Sequence, residues 1–245
     1  MRRLLAALAV GFVLAGCGGS AGGGEPGGTA ALWVTRDRGA EVVLTATVPA
    51  GLTVLQALDR EADVETRYGG RFVQAINRIE GSVTKRRDWF YFLNGVEPDV
   101  GAAEVTLRPG DVAWWDFRSW KGRMEQPVVV GAFPEPFRHG WNGKPRPLEI
   151  IAPPALREER LALSNLLAPA GDQGDPNRFV LEVVAGTRGA TLRARRGLAN
   201  AAPVTFTLSG SEEAVRAAAL ALAKDPAIVR YHYTVRFDER GNVLG

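Results

Sequence analysis

Trp89-Phe90-Tyr91-Phe92-Leu93-Asn94-Gly95-Val96 decides how this chain is read. An unbroken aromatic run favours extended backbone, and Asn-Gly is the strongest two-residue signal for a tight hairpin turn. The stretch therefore predicts a strand over 88–93 closed by a turn at Asn94-Gly95. Downstream, Arg108-Pro109-Gly110-Asp111 reads as another turn, and 112–118 as a last strand holding Trp114-Trp115-Asp116-Phe117. Upstream, Tyr68-Gly69-Gly70-Arg71 is a loop before a short strand over 72–76. Further back, Thr53 can cap a helix, and Gln56 three residues on completes a capping box. Val54, Leu55, Leu58 and Ala62 give that helix one apolar face. Leu32-Trp33-Val34 and the alternating run 41–48 supply two earlier strands. Two strands, a helix, then several short strands is the order of a β-grasp (ubiquitin-like) domain, expected over residues 30–120.

Side chains alternate faces along a strand. Trp89, Tyr91 and Leu93 share one face, and Phe90 and Phe92 the other. Trp114 shares a face with Asp116 and Arg118, while Trp115 and Phe117 oppose them. A buried Asp116 or Arg118 without a partner is costly, so Trp114 is expected toward water and Trp115, Phe117, Phe90 and Phe92 toward the core. Two readings of the aromatics stay open. They fill the interior, or Trp89, Tyr91 and Trp114 form a flat solvent-facing shelf for a large planar ligand. In the second reading Asn94 edges the shelf, and Tyr68 and Trp120 lie at its margin.

Residues 121–146 hold Phe133-Pro134-Glu135-Pro136-Phe137 and, running into Pro147, Asn142-Gly143-Lys144-Pro145-Arg146, and read as a proline-rich connector on the surface. A second small α+β domain is expected over 147–245. It has strands over 148–151, 178–184, 204–208 and 231–237, and helices over 156–167 and after Ser211, ended by Asp225-Pro226. Gly186-Thr187-Arg188-Gly189 reads as a hairpin turn. The expected class of the whole is α+β.

The N-terminus carries a different signal. Met1-Arg2-Arg3 precedes an apolar run of about a dozen residues, short of the roughly 20 that span a bilayer. It ends Leu14-Ala15-Gly16-Cys17, which matches the bacterial lipobox. Residues 1–17 are read as a lipoprotein signal, with Cys17 as the lipidated residue. Residues 18–29 are glycine-rich and read as a flexible tether with a reach of roughly 20 Å. The chain is then extracytoplasmic and lipid-anchored to the cell membrane. Cys17 is the single cysteine, so no disulfide, thiol nucleophile or cysteine metal site is available. Formal net charge is +3 and falls to +1 without Arg2 and Arg3, which argues against nucleic acid as a partner. Lys85-Arg86-Arg87 and Arg193 with Arg195-Arg196 read as solvated surface. The two histidines, His139 and His232, lie far apart without metal-ligand spacing. No nucleophile elbow or phosphate-cradling glycine loop occurs. No catalytic or metal residue, and no covalent cofactor, is therefore expected.

The block Trp89 to Val96, with Gly101-Ala102 and Leu107 to Asp111, resembles a β-grasp domain of bacterial lipoproteins. That domain is similar to the C-terminal half of the animal cobalamin carriers. The layout, with its lipobox, Val128 to Gly131, Phe133 to Phe137, and its ending from Asp225-Pro226 through Asn242, also resembles the additional lipoprotein of predicted cobalamin transporters of the energy-coupling-factor (ECF) type. The resemblance implies soluble-ligand binding, with cobalamin as leading ligand and ECF-type transporter subunits as partners. No counterpart of the carriers' helical barrel is legible. A protein-interaction module without a small ligand, or a cell-envelope hydrolase, are the alternatives.

Overall fold

The computed structural model describes residues 27–122, 124–141, 144–168, 175–197 and 203–244; Cys17 and the lipobox lie outside them. In the first half, β1 (Thr29–Arg36) and β2 (Glu41–Pro49) form an antiparallel pair. Helix α1 (Val54–Glu61) follows, with both hydrogen bonds of the Thr53–Gln56 capping box formed. Strands β3 (Val64–Arg67), β4 (Phe72–Ile76) and β5 (Ile79–Glu80) make a small sheet of their own. Strands β6 (Arg87–Leu93) and β7 (Val112–Ser119) complete a main sheet of order β2-β1-β7-β6, in which β1 and β7 run parallel at the centre. Val54, Ala57 and Leu58 of α1 pack with Leu32, Val34, Trp115 and Phe117 of this mixed sheet. Asn94 and Gly95 both have positive φ, 53° and 77°, so the β6 strand closes in a primed turn that matches strand twist.

The second half holds β8 (Leu148–Ile151), α2 (Arg157–Leu167), β9 (Phe179–Ala185), β10 (Ala190–Arg196), β11 (Val204–Gly210), α3 (Glu212–Lys224), β12 (Val235–Phe237) and β13 (Val243–Leu244). Their sheet has the order β13-β12-β10-β11-β9-β8, and Leu163, Leu167, Ala214, Ala218 and Leu222 of the two helices pack with Phe179, Leu181, Phe206 and Leu208 of its strands. The class is α+β. Among the described residues no helix is long and apolar enough to cross a membrane.

Three local expectations change. Gly186 to Gly189 is not a hairpin turn: β11 lies between β9 and β10, parallel to the first and antiparallel to the second. The four residues therefore cross the end of β11. Only Val235–Phe237 of the expected closing strand is extended in the sheet; a 3-10 turn at Pro226–Val229 and a positive φ at Tyr231 precede it. The connector is not a surface strap. Val128, Val130, Phe133 and Phe137 sit in the second core, with the Phe137 ring 4.8 Å from that of Phe206. The prolines mark irregular backbone, but the phenylalanines between them drive burial.

A third cluster joins the halves. Trp33, Phe92, Val112 and Trp114 of the main sheet pack on Val129, Ala132 and Tyr233, with Tyr231 alongside. The main sheet is thus covered on both faces, by α1 on one and by the connector and the second half on the other. That double covering decides where a ligand can go.

Candidate functional site

Trp114 is fully buried, and its Nε1 donates to Thr35 Oγ1 at 2.8 Å. Its ring packs on Phe92 at 5.5 Å and Tyr233 at 5.7 Å. The expectation that Asp116 and Arg118 draw this face toward water is overturned, because both are buried with partners. Asp116 accepts from the Thr35 hydroxyl at 2.7 Å, the Tyr233 hydroxyl at 2.8 Å, and the backbone N–H groups of Arg38 and Gly39 at 3.1 Å each. Arg118 donates to the Met124 carbonyl at 2.6 Å, and its guanidinium lies 3.6 Å from the centre of the Phe90 ring. Burial, and then the charge of Asp116, hold the Tyr233 hydroxyl protonated well above the ordinary tyrosine range.

Trp89 and Tyr91 lie on the opposite face. Trp89 is buried against Phe117, with its Nε1 donating to the Ile79 carbonyl at 2.8 Å. Tyr91 is half-buried and stacked on Trp115 at 5.1 Å, and its hydroxyl donates to the Val100 carbonyl at 2.6 Å. Trp89, Tyr91 and Trp114 therefore do not form one solvent-facing shelf. Asn94 does not edge one either. It is buried, its Nδ2 donates to Asp111 Oδ1 at 2.8 Å and the Gly140 carbonyl at 3.1 Å, and its Oδ1 accepts from the Val112 N–H at 2.8 Å. Every hydrogen bond of that amide ties the hairpin to its neighbours.

A groove of about 630 Å³ opens elsewhere, between the β3–β4 hairpin, the first residues of β6 and the segment after β7. Tyr68, Phe72, Trp89, Phe90, Trp120 and Met124 give it an aromatic and apolar wall. It brings together Tyr68, Trp89 and Trp120 of the expected residues and leaves out Tyr91, Asn94 and Trp114. Tyr68 is 79% exposed, and its ring meets Phe72 edge-on at 6.4 Å. Val83 and Met124 also stand exposed on the rim. The Arg86 guanidinium lies 6.0 Å from the ring of the half-buried Trp120. Gln74 and Asp88 supply polar groups to the wall, and burial raises the Asp88 carboxyl above its ordinary value.

Phe72, Phe90 and Met124 are groove residues the sequence reading missed. Phe90 was expected in the core with Phe92. Phe92 is covered by the second half, whereas Phe90, two residues nearer the strand start, is covered only in part. Among the described residues no group of three or more His, Cys, Asp and Glu side chains is placed to hold a metal ion. His139 Nδ1 lies 2.7 Å from Glu135 Oε1, and His232 Nδ1 is 2.9 Å from the Arg230 carbonyl. Of the basic clusters, Arg196 is engaged in a two-pronged pair with Asp99 at 3.0 and 2.7 Å.

Residues 51–119 match a family described as a domain of unknown function (DUF4430). No curated protein matches the chain. Among solved structures, the chain is similar to a protein of conjectured metal-binding role from Ruminococcus gnavus, at 14% identity and a TM-score of 0.32, over 38% of this chain and 97% of that one. It is also similar to haptocorrin in complex with Cbi (cobinamide), at 18% identity and a TM-score of 0.30. That alignment covers 37% of this chain and a quarter of haptocorrin, 25% of its length.

Proposed function

We propose that this chain is a membrane-tethered, extracytoplasmic binding lipoprotein that takes a corrinoid in the aromatic groove and serves an ECF-type uptake transporter. The groove carries the reading. Its ring faces at Tyr68, Phe72 and Trp120 suit the flat body of a macrocycle, and Gln74, Asp88 and strand-edge backbone suit amides on its rim. The sequence resemblance of the Trp89–Val96 block supports the choice of corrinoid. The lipobox ending in Cys17 supports the anchor, and its glycine-rich tether leaves the binding unit free to turn. The role is binding, with no catalytic residue assigned.

The test is titration of tryptophan emission, corrected for corrinoid absorbance, with cobalamin and with cobinamide. Saturable quenching is expected, with affinity about tenfold or more weaker in Trp120→Ala, a loss of about 1.4 kcal/mol. Calorimetry showing no heat with either corrinoid at high micromolar concentration overturns the reading. Cys17→Ser is expected to move the protein from the membrane fraction to the soluble one.

The exposed Tyr68, Val83 and Met124 also favour a second reading, in which the rim docks on a membrane complex and no small ligand enters. Capture of a transporter subunit without corrinoid, lost in Trp120→Ala, supports it.

A further inference from the structure

A second groove adjoins the first, and the two share the segment Glu80-Gly81-Ser82 as a common ridge. It encloses about 590 Å³ and is lined by Arg36, Lys85, Arg87 and Phe117, with Ile79 and the ridge. Its architecture follows from strand register. Arg36 ends β1 opposite Phe117 of β7, and Arg87 starts β6 opposite Ser119. Phe117 thus forms the floor with a guanidinium on each side, the Arg87 group 5.0 Å from the Phe117 ring centre. Lys85 stands exposed above them on the loop into β6.

These cations are not saturated. Arg36 pairs with Glu41 at 3.1 Å and Arg87 pairs with Asp37, but those carboxylates are 55% and 49% exposed. Such pairs contribute about 0–1 kcal/mol and yield readily to a better anion. The Nε atoms of both arginines are buried without a partner among the described residues. Glu80, the one carboxylate in the lining among the described residues, turns to the first groove, accepting from Gln74 at 3.0 Å and lying 3.6 Å from Arg67. Gly81 carries no side chain on the ridge, and the Asp88 carboxylate packs against it, with Oδ1 2.4 Å from where a Cβ would stand.

We propose that the second groove is an anion subsite of the same binding site. The ring system of the ligand lies in the aromatic groove, and a phosphate or carboxylate group on it reaches past the shared 80–82 segment to Arg36, Lys85 and Arg87. Guanidinium forks suit such groups because they donate in pairs. The proposal rests on the binding reading above and narrows its ligand class to amphipathic molecules with an anionic arm.

The experiment has two arms, each on wild type and on R36Q/K85Q, which removes the charges of the half-buried Arg36 and the exposed Lys85 and leaves Arg87 on Phe117. The first titrates inorganic phosphate at constant ionic strength and follows backbone amide NMR signals. Saturable shifts are expected over residues 80–87 and around Arg36, and are lost in the variant. The second compares cobalamin, which carries a phosphodiester, with cobinamide, which lacks it. Wild type is expected to bind cobalamin tenfold or more tighter, and the variant to bind both equally, with cobinamide affinity unchanged. Amides unmoved by phosphate, or a variant that keeps the wild-type preference, overturn the anion subsite. Phosphate shifts without binding of either corrinoid support the anion subsite and overturn the corrinoid reading.

Discussion

Asp116 gathers donors from β1, from the turn after it and from Tyr233, which lies 117 residues further along the chain. Asp116→Ala would take the acceptor from the Thr35 and Tyr233 hydroxyls in the buried interior, and from the part-buried N–H groups of Arg38 and Gly39; each buried group left unsatisfied costs about 1–3 kcal/mol. Allowing for relaxation and water entry, a loss of about 3 kcal/mol is expected, read as a lower urea midpoint. Trp120→Ala, at the groove edge, is expected within about 1 kcal/mol of wild type. The contrast separates the buried polar cluster under the second half from the edge of the groove. Part of this was legible in the sequence. Strand alternation placed Trp114, Asp116 and Arg118 correctly on one face. It could not supply Tyr233 or the Met124 carbonyl, so a costly burial was read as exposure. Asn94 is the same case: its turn was legible, while Asp111 and Gly140 as partners for its amide were not.

At the scale of elements, local chemistry was enough wherever the determinant is local. The Thr53–Gln56 capping box, the Asn94-Gly95 turn and the Ser211 cap form as their residues dictate. The crossing at Gly186 to Gly189 was not legible, because a short glycine-flanked link looks the same whether its strands pair or straddle a third. Its physical signature sits on the straddled strand. A Cβ at Gly210, the last residue of β11, would lie 1.7 Å from the Gly189 carbonyl oxygen and 2.6 Å from the Ala190 Cα. Both are backbone atoms, so no rotamer change relieves the clash and the crossing must move. Gly210→Ala is expected to destabilise by about 3 kcal/mol or more. Gly186→Ala is the control on the same link. Its added Cβ meets nothing nearer than 3.5 Å and its φ is not positive, so it is expected to stay within about 1 kcal/mol. Thermal unfolding of the two variants side by side checks the crossing.

At the scale of the whole molecule, the decisive feature is the sharing of one sheet between two cores. Read in sequence, the chain divides into two units and a loose connector, because each half has its own strand and helix signals. The connector's Val129 and Ala132, and Tyr233 from the far end, instead close over Trp33, Phe92 and Trp114. This confines the candidate site to the part of the first half that the second half leaves open, around Tyr68 and Trp120. It also makes the first half dependent on the second. A fragment of residues 27–122 would present Trp33, Phe92 and Trp114 to water along one sheet face, a patch of the kind that soluble monomers seldom leave bare. Such a fragment is expected to bind a hydrophobic dye and to aggregate at micromolar concentration. The full chain is expected to unfold in urea in one transition, with tryptophan emission and far-ultraviolet circular dichroism superimposing. Two separated transitions, or a fragment that is monomeric and dye-silent, would show that the shared face contributes little. The ligand groove would then belong to a unit that folds independently of the second half.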